Sequence, residues 1–223
     1  MSGKILYYNT ITPLLREILN ELMVNSLFEP FCLVGGTSLS LRLGHRMSID
    51  IDLFTNVPYG SLDFSVFEQF FKENYHYFDK ADTTNIVGFG RSYYVGNSAE
   101  EHVKVDLYYK DEITDAYDVI DNIRMASLPD VVAMKVDVIQ YGGRKKDFWD
   151  LHKLLETYSI EEMITFHEQR YEYTHDRTQI IENFTNFTKA NRSIDPHCLE
   201  NKTWEWIKLD FVEKITPSKH QNQ

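Results

Sequence analysis

Residues 31–54 read FCLVGGTSLSLRLGHRMSIDIDLF, and this stretch decides the fold. A short apolar run ends at Gly35-Gly36, which predicts a buried strand that leads into a tight turn. A short helix is expected over residues 38–43. Residues 49–54 then alternate apolar and acidic side chains, which predicts a second strand with one buried face.

Three aspartates lie where such strands would bring them together. Asp50 and Asp52 share one strand face, with Cα atoms roughly 6–7 Å apart at ~3.3 Å per residue. Asp106 lies on another strand, residues 103–107, whose opposite face is apolar, and Lys104 shares its face. If the two strands are neighbours, three carboxylates converge, which suits two Mg²⁺ ions, or Mn²⁺ in their place. An isolated Asp-x-Asp more often marks solvated carboxylates at a strand end.

The glycine turn is a candidate phosphate cradle. Gly35 and Gly36 let the backbone approach a phosphate closely. Thr37 or Ser38 would begin a helix whose free N–H groups face an anion. A Gly-Gly turn alone is weak support, but its place between a buried strand and a short helix strengthens the interpretation.

Further along the chain, Lys135 lies on the apolar stripe of a predicted helix and therefore needs an anionic partner. Asp147 and Asp150 share a face of the next helix and are natural partners. Two interpretations remain open: a buried ion pair that joins two helices, or a lysine of a nucleotide site. Arg46 either contacts phosphate or pairs with one of the aspartates.

These motifs together resemble the AbiEii toxin branch of the DNA polymerase beta-like nucleotidyltransferase superfamily. The resemblance covers about residues 30–155 and also includes Ala133-Met134-Lys135 and the run from Arg144 to Leu151. In this branch the second turn position is often Ser, so the hydroxyl that grips the triphosphate would come from Thr37 or Ser38. The resemblance implies Asp50, Asp52, Asp106 and Lys135 as catalytic residues, with the first three as metal ligands. It also implies that the NTP is bound by Gly35, Gly36, Thr37, Ser38, Arg46, Lys104, Asp147 and Asp150.

The expected fold class is α+β. Residues 1–126 are predicted to form the nucleotidyltransferase core, a mixed sheet flanked by helices, because strand-like segments dominate up to residue 109. Residues 127–216 are predicted to form a helical C-terminal subdomain, since five helical patterns follow Ser127-Leu128-Pro129-Asp130. Residues 217–223 are predicted to be a frayed tail.

Composition narrows the functional classes. The chain has 223 residues and a net charge of −11, which argues against a broad surface that coats nucleic acid. No apolar run approaches the ~18 residues of a membrane span, and no signal peptide is recognised, so a cytoplasmic protein is expected. Cys32 and Cys198 lack metal-type spacing and are expected to be reduced. The net charge does not exclude a local basic patch formed by Arg42, Arg46, Arg91, Lys104 and Arg144-Lys145-Lys146.

The leading hypothesis is a Mg²⁺-dependent nucleotidyltransferase that joins an NMP from an NTP to a hydroxyl acceptor and releases pyrophosphate. The resemblance implies a tRNA 3′ end as the acceptor, and a toxin paired with an antitoxin protein. Two alternatives are nucleotidyl transfer to a small molecule or a protein, and a regulatory nucleotide-binding module without turnover. Asp106 argues against the regulatory module, because a binder without activity does not need a third carboxylate.

Overall fold

The computed structural model describes residues 5–81, 89–110 and 117–215, and the chain divides into two compact units. The first unit comprises Met1–Gly44 and Ser48–Ser127, and the second comprises His45–Met47 and Leu128–Gln223. The predicted tail, residues 217–223, lies outside the described residues.

The first unit is built on one mixed sheet. Its strands in the described residues are β1 (Cys32–Leu33), β2 (Asp50–Thr55), β3 (Tyr77–Lys80), β4 (Gly90–Gly96), β5 (His102–Tyr109), β6 (Asp118–Ile120) and β7 (Ile123–Met125). They lie in the order β3-β4-β5-β2-β1-β7-β6. β2 runs parallel to β5, while β1 runs antiparallel to β2 and parallel to β7. The predicted α+β class and mixed sheet are confirmed.

Strands β2 and β5 each bury one face and leave the other half-exposed. Ile51, Leu53 and Val105 are fully buried and join the main apolar core of the unit. The acidic residues alternate with them and lie on the half-exposed face. Core packing thus fixes which way the aspartates point.

Three helices of the described residues belong to this unit: α1 (Pro13–Val24), α2 (Gly35–Leu43) and α3 (Phe64–Asn74). Thr12 caps α1 by accepting a hydrogen bond from the Leu15 N–H (3.1 Å), and Asp63 caps α3 in the same manner. Helix α2 begins three residues earlier than the predicted residue 38, because the glycine turn is itself the first turn of the helix.

The second unit is mainly helical. Its helices are α4 (Leu128–Gln140), α5 (Lys145–Leu154), α6 (Ile160–Arg170), α7 (Arg177–Thr185) and α8 (Trp204–Ile215). Residues 45–47 join it through two backbone hydrogen bonds of 2.9 Å, Met47 N–H to His197 O and Leu199 N–H to His45 O. Phe148 contacts Trp204 and Phe211 edge-to-face, which packs α5 on α8.

Helix α5 begins at Lys145, because the Asp147 carboxylate accepts a hydrogen bond from the Arg144 N–H (3.0 Å) and starts the helix there. Helix α7 ends at Thr185. Among the residues that the structure describes, no helix combines the length and apolar composition that crossing a membrane requires.

Candidate active site

The two aspartate-bearing strands of the first unit lie side by side. Across the parallel pair, Asp52 is the partner of Asp106, and Asp50 is the partner of Lys104. All four residues lie on the half-exposed face, opposite the buried Ile51. The prediction that the two strands are neighbours is therefore confirmed.

The Lys104 side chain lies against these carboxylates. Its Nζ donates to Oδ1 of Asp106 (2.7 Å) and to Oδ2 of the same group (2.6 Å). Burial lowers the pKa of the ammonium, but the hydrogen bond and charge of Asp106, followed by the charges of Asp52 and Asp50, outweigh burial and raise it. The three aspartates therefore stabilise a positive charge, which the Lys104 ammonium supplies.

The glycine turn lies directly beside one of the aspartates. Gly35 has φ +67°, and a Cβ at this position would collide with the Asp52 carboxylate. The Val34 N–H donates to the Asp52 carbonyl oxygen (2.9 Å), which fastens the end of β1 to β2. Glycine is thus required here both by the left-handed backbone and by the close approach of a carboxylate to the start of α2.

The two hydroxyl residues after the turn are both fully buried. The Thr37 hydroxyl donates to the Asp50 carbonyl oxygen and lies 2.8 Å from the Ser48 hydroxyl, so it secures α2 to β2. The Ser38 hydroxyl makes no hydrogen bond within the described part of the chain. Of the two candidates for gripping a triphosphate, Ser38 is the one whose hydroxyl is not committed elsewhere.

The donor atoms of this cluster suit a divalent ion. Aspartate oxygens are the ligands that Mg²⁺ prefers. Within residues 5–81, 89–110 and 117–215, however, no group of three or more His, Cys, Asp or Glu side chains is arranged to hold a metal ion. The contact of Lys104 with both Asp106 oxygens is consistent with this finding, since the lysine must leave Asp106 before a metal can bind there. The roles of Asp50, Asp52 and Asp106 as metal ligands stay a prediction.

The other predicted site residues form a buried charge cluster within the second unit. Asp150 accepts hydrogen bonds from Arg46 Nε (2.6 Å) and Nη2 (2.8 Å), and lies 2.8 Å from His45 Nε2. Lys135 Nζ lies 2.7 Å from Asp150 and 2.8 Å from Asp147. Both carboxylates are 0% exposed. This geometry matches the ion-pair interpretation of Lys135, and the aspartate-paired interpretation of Arg46; their contact with a nucleotide stays a prediction.

The charges within this cluster reinforce one another. Burial raises the pKa of Asp150, but Arg46 and then Lys135 outweigh it and hold the pKa well below its usual range. Burial likewise opposes the charge on Lys135, yet the two aspartates raise the pKa of its ammonium. Lys135, Asp147 and Asp150 therefore stay charged at neutral pH, because each has at least one opposite charge in contact.

The comparisons with known proteins decide the family. The profile of the family described as "Nucleotidyl transferase AbiEii toxin, Type IV TA system" matches residues 17–217. The chain belongs to the AbiEii nucleotidyltransferase toxin family. The predicted reaction class, nucleotidyl transfer, and the toxin–antitoxin assignment are thereby confirmed.

Several proteins resemble this AbiEii family member. An uncharacterized protein of Aquifex aeolicus is 27% identical over 215 residues, which cover 90% of this chain and 93% of the relative. A putative nucleotidyltransferase from H. pylori has a similar structure, with a TM-score of 0.54, 18% identity and coverage of 90% and 89%. The nucleotidyltransferase toxin MenT4 from Mycobacterium tuberculosis gives a TM-score of 0.55, 14% identity and coverage of 91% and 83%. The two structural matches support the fold.

Three of the residues considered for a local basic patch in this AbiEii protein are engaged in ion pairs. Arg42 is mostly buried and bonds Asp118 and the Ala126 carbonyl oxygen, and Arg46 is 3% exposed. Lys145 pairs with Asp195. Sequence alone did not reveal this, because each arginine finds its partner far along the chain.

One feature of the first unit was missed in the sequence. Aromatic residues line a hollow of about 580 Å³ at the ends of β2 and β5. The signal was present, since Phe54 and Tyr108 continue the alternation that carries the aspartates. Two further rings, those of Tyr59 and Phe89, come from loops and could not be placed by periodicity.

Proposed function

We propose that this AbiEii family member transfers an NMP from an NTP to a hydroxyl of an RNA acceptor in a Mg²⁺-dependent reaction, with Mn²⁺ as a substitute. The observation that carries the proposal is the pairing of Asp52 with Asp106 on one half-exposed face, with Asp50 two residues away. These three carboxylates would hold the metal ions. When bound, the metal supplies charge neutralisation for the triphosphate and lowers the pKa of a coordinated hydroxyl.

The residues of the chain position the reactants. The NTP triphosphate lies at the start of α2, where Gly35 allows close approach and free backbone N–H groups face an anion. The acceptor hydroxyl oxygen attacks the α-phosphorus, and its proton passes toward the Asp106 carboxylate. The bond from the α-phosphorus to the bridging oxygen breaks, and pyrophosphate leaves. Lys104, once released from Asp106, supplies a positive charge to the phosphates.

Lys135 has a donor for a phosphate in addition to those that bind its two aspartates. Its ammonium has three N–H donors, and Asp147 and Asp150 engage two of them. A third donor is left for a phosphate oxygen. Arg46, Asp147 and Asp150 then act by holding Lys135 charged and in place, rather than by direct contact with the nucleotide.

The acceptor that we propose is the 3′ end of a tRNA. The proposal is supported by membership of a nucleotidyltransferase toxin family, since a tRNA 3′ end presents the hydroxyl that the reaction needs. The type IV toxin–antitoxin description also supports an antitoxin protein as a partner in the cell. The use of NTPs and tRNA as substrates supports a cytoplasmic location.

The test is a labelling experiment. The protein is incubated with each labelled NTP and Mg²⁺, in the presence of total RNA, protein extract or a pool of small molecules, and the labelled product is identified. We expect label on RNA of tRNA size, and none after removal of the divalent ion by a chelator.

Two variants make the test specific. Asp52→Asn keeps the side-chain shape and removes the charge, so it should abolish labelling while the protein stays folded. Asp79→Asn is the matched control, because Asp79 is an exposed aspartate on β3 of the same sheet. Label that appears only on protein or small molecules would reject the RNA acceptor, and equal labelling by wild type and Asp52→Asn would reject the site.

A further inference from the structure

The hollow at the ends of β2 and β5 is built mainly from aromatic rings. The Phe54 and Tyr108 rings lie 6.1 Å apart, and Tyr59 lies 5.7 Å from Phe89 and 5.3 Å from Tyr109 (ring centroids). Tyr59 is 65% exposed and Phe89 is 62% exposed. Large rings this exposed in a cluster present an apolar surface to solvent, which marks an interaction site rather than core packing.

The hollow continues the row of candidate catalytic carboxylates. Phe54 follows Asp52 by two residues and Tyr108 follows Asp106 by two, and the two aromatic residues are partners across the same strand pair. At ~3.3 Å per residue, each ring starts roughly 6–7 Å along the strand from its aspartate. A ligand in the hollow therefore places its next chemical group over the carboxylates.

The hollow and the glycine turn flank the carboxylates from different sides. In the sheet, β1 lies on one side of β2 and β5 lies on the other. Because β1 runs antiparallel to β2, the turn at Gly35 lies beside Asp52, away from the ends of β2 and β5 where the hollow lies. Two substrates can thus meet at the carboxylates, one from each side.

The lining suits a nucleic-acid strand. In the described part of the chain it contains no acidic residue, although the protein carries a net charge of −11. Among the described residues of the lining, the charged residue is the cation Lys110. Exposed aromatic rings next to a positive charge are the usual means of binding single-stranded nucleic acid, because every base has a face that stacks.

We propose that this hollow binds the unpaired end of the RNA acceptor, with the terminal bases stacked on Tyr59 and Phe89. This assignment rests on the proposed function, because the carboxylates define which end of the ligand reacts. The position of the hollow relative to the triphosphate turn indicates that it binds the acceptor rather than the NTP. The triphosphate turn lies beside Asp52, on the β1 side of β2, whereas the hollow lies at the ends of β2 and β5 and includes Tyr108, two residues after the proposed proton acceptor Asp106.

The experiment compares two pairs of exposed rings. Tyr59→Leu with Phe89→Leu removes the stacking faces but keeps apolar side chains. Tyr141→Leu with Tyr173→Leu is the matched control, since both tyrosines are exposed in the second unit. Binding of a short fluorescent single-stranded RNA is measured by anisotropy without NTP. Binding of a non-hydrolysable NTP with Mg²⁺ is measured by calorimetry without RNA, and melting temperatures verify folding.

We expect the hollow variant to bind the single strand more weakly, by roughly five- to 150-fold for each base that loses its stacking ring. Its affinity for the NTP and its melting temperature should stay close to wild type, and the control should match wild type in all respects. Unchanged RNA affinity in the folded hollow variant overturns the proposal. A loss of NTP affinity instead of RNA affinity also overturns it, and assigns the hollow to the base of the nucleotide.

Asp52→Asn separates this inference from the proposed function. It should bind the single strand like wild type and transfer no nucleotide. If wild type labels no RNA while the hollow variant loses RNA binding, the proposed transfer reaction fails and the binding site stands. If wild type labels RNA while the hollow variant binds and labels RNA as well as wild type does, the inference fails and the reaction stands.

Discussion

Asp52 and Asp106 occupy partner positions on the adjacent parallel strands β2 and β5. Neighbouring strands lie ~4.8 Å apart, so two side chains on the same face reach the same small volume. Two like charges at this distance repel, and the Lys104 ammonium on Asp106 relieves part of the repulsion. With Asp50 included, three acids face one base, and this excess of negative charge is the physical reason to expect a divalent cation.

The first prediction concerns Gly35. Gly35→Ala adds a Cβ that would push the Asp52 carboxylate away and also strains a left-handed backbone. We expect a loss of about 1–3 kcal/mol in the free energy of unfolding and a loss of the thermal stabilisation by Mg²⁺ with NTP. Gly60→Ala is the control, because Gly60 also has positive φ but nothing lies within 4 Å of its added Cβ. Gly60→Ala should lower the free energy of unfolding but keep the thermal stabilisation by Mg²⁺ with NTP. Equal stabilisation by Mg²⁺ with NTP in the two variants would contradict the role of the turn.

The second prediction concerns a pair of histidines in the second unit. His167 is fully buried, its Nδ1 lies 2.8 Å from Nδ1 of His175, and its Nε2 lies 3.4 Å from Asp137 Oδ1. A hydrogen bond between two Nδ1 atoms requires that one ring carries no proton there. Burial and then the neighbouring His167 lower the pKa of His175 below 6.5. The lowered pKa favours the neutral form of His175 in the folded protein.

A lowered pKa fixes the sign of the pH effect. The unfolded state binds a proton at His175 before the folded state does, so stability is complete above pH 6.5 and falls as pH drops through the folded pKa. Denaturant unfolding from about pH 8 to about pH 5 should show this loss. His175→Asn should flatten the curve in this window, whereas His76→Asn, at an exposed histidine, should keep it. Identical stability curves for His175→Asn and wild type would show that protonation of His175 does not cause the loss of stability.

The third prediction concerns Lys104. Lys104→Met leaves the three carboxylates without their internal cation, so the melting temperature without divalent ions should fall, and the rise on adding Mg²⁺ should exceed that of wild type. Lys80→Met is the control, because Lys80 pairs with Glu68 at the exposed edge strand β3 of the same sheet. It should change little, as is typical of surface pairs. A smaller Mg²⁺ response in Lys104→Met than in wild type would show that the ion binds elsewhere.

Much of the fold was predictable because it depends on local pattern. The alternation correctly assigned the buried side chains of residues 103–107 and of Ile51 and Leu53, whereas Ile49, expected on the same apolar face, lies before β2 and is 67% exposed. The pairing of β2 with β5 did not follow from pattern. It joins residues more than fifty positions apart, and was expected only because the aspartates needed a common site.

The partners of long charged side chains were the least predictable part. Asp150 was expected beside Lys135, but its bonds to Arg46 and His45 span more than a hundred residues. Likewise, Lys104 was expected to share a face with Asp106, but a hydrogen bond from its Nζ to each of the two Asp106 carboxylate oxygens was not expected. Side chains of this length can reach several partners, so only the packed structure selects among them.

The fourth prediction decides between two roles of Lys135. Removing it leaves Asp147 and Asp150 buried with fewer positive partners, so Lys135→Met should lower the free energy of unfolding by about 3–5 kcal/mol. Arg170→Met is the matched control, because Arg170 forms another buried ion pair in the same unit, 2.6 Å from Asp130. Denaturant unfolding should report a loss of similar size for both variants.

Nucleotide binding then separates the roles. If the third N–H of Lys135 donates to a phosphate, Lys135→Met should also weaken binding of a non-hydrolysable NTP by about 1.5–3 kcal/mol, the range for hydrogen bonds to charged groups. Arg170→Met should bind the NTP like wild type. Calorimetric titration is performed at a temperature where both variants are folded. Equal NTP affinity in the two variants would restrict Lys135 to joining α4 and α5, and the triphosphate would then depend on the turn at Gly35 and on Lys104.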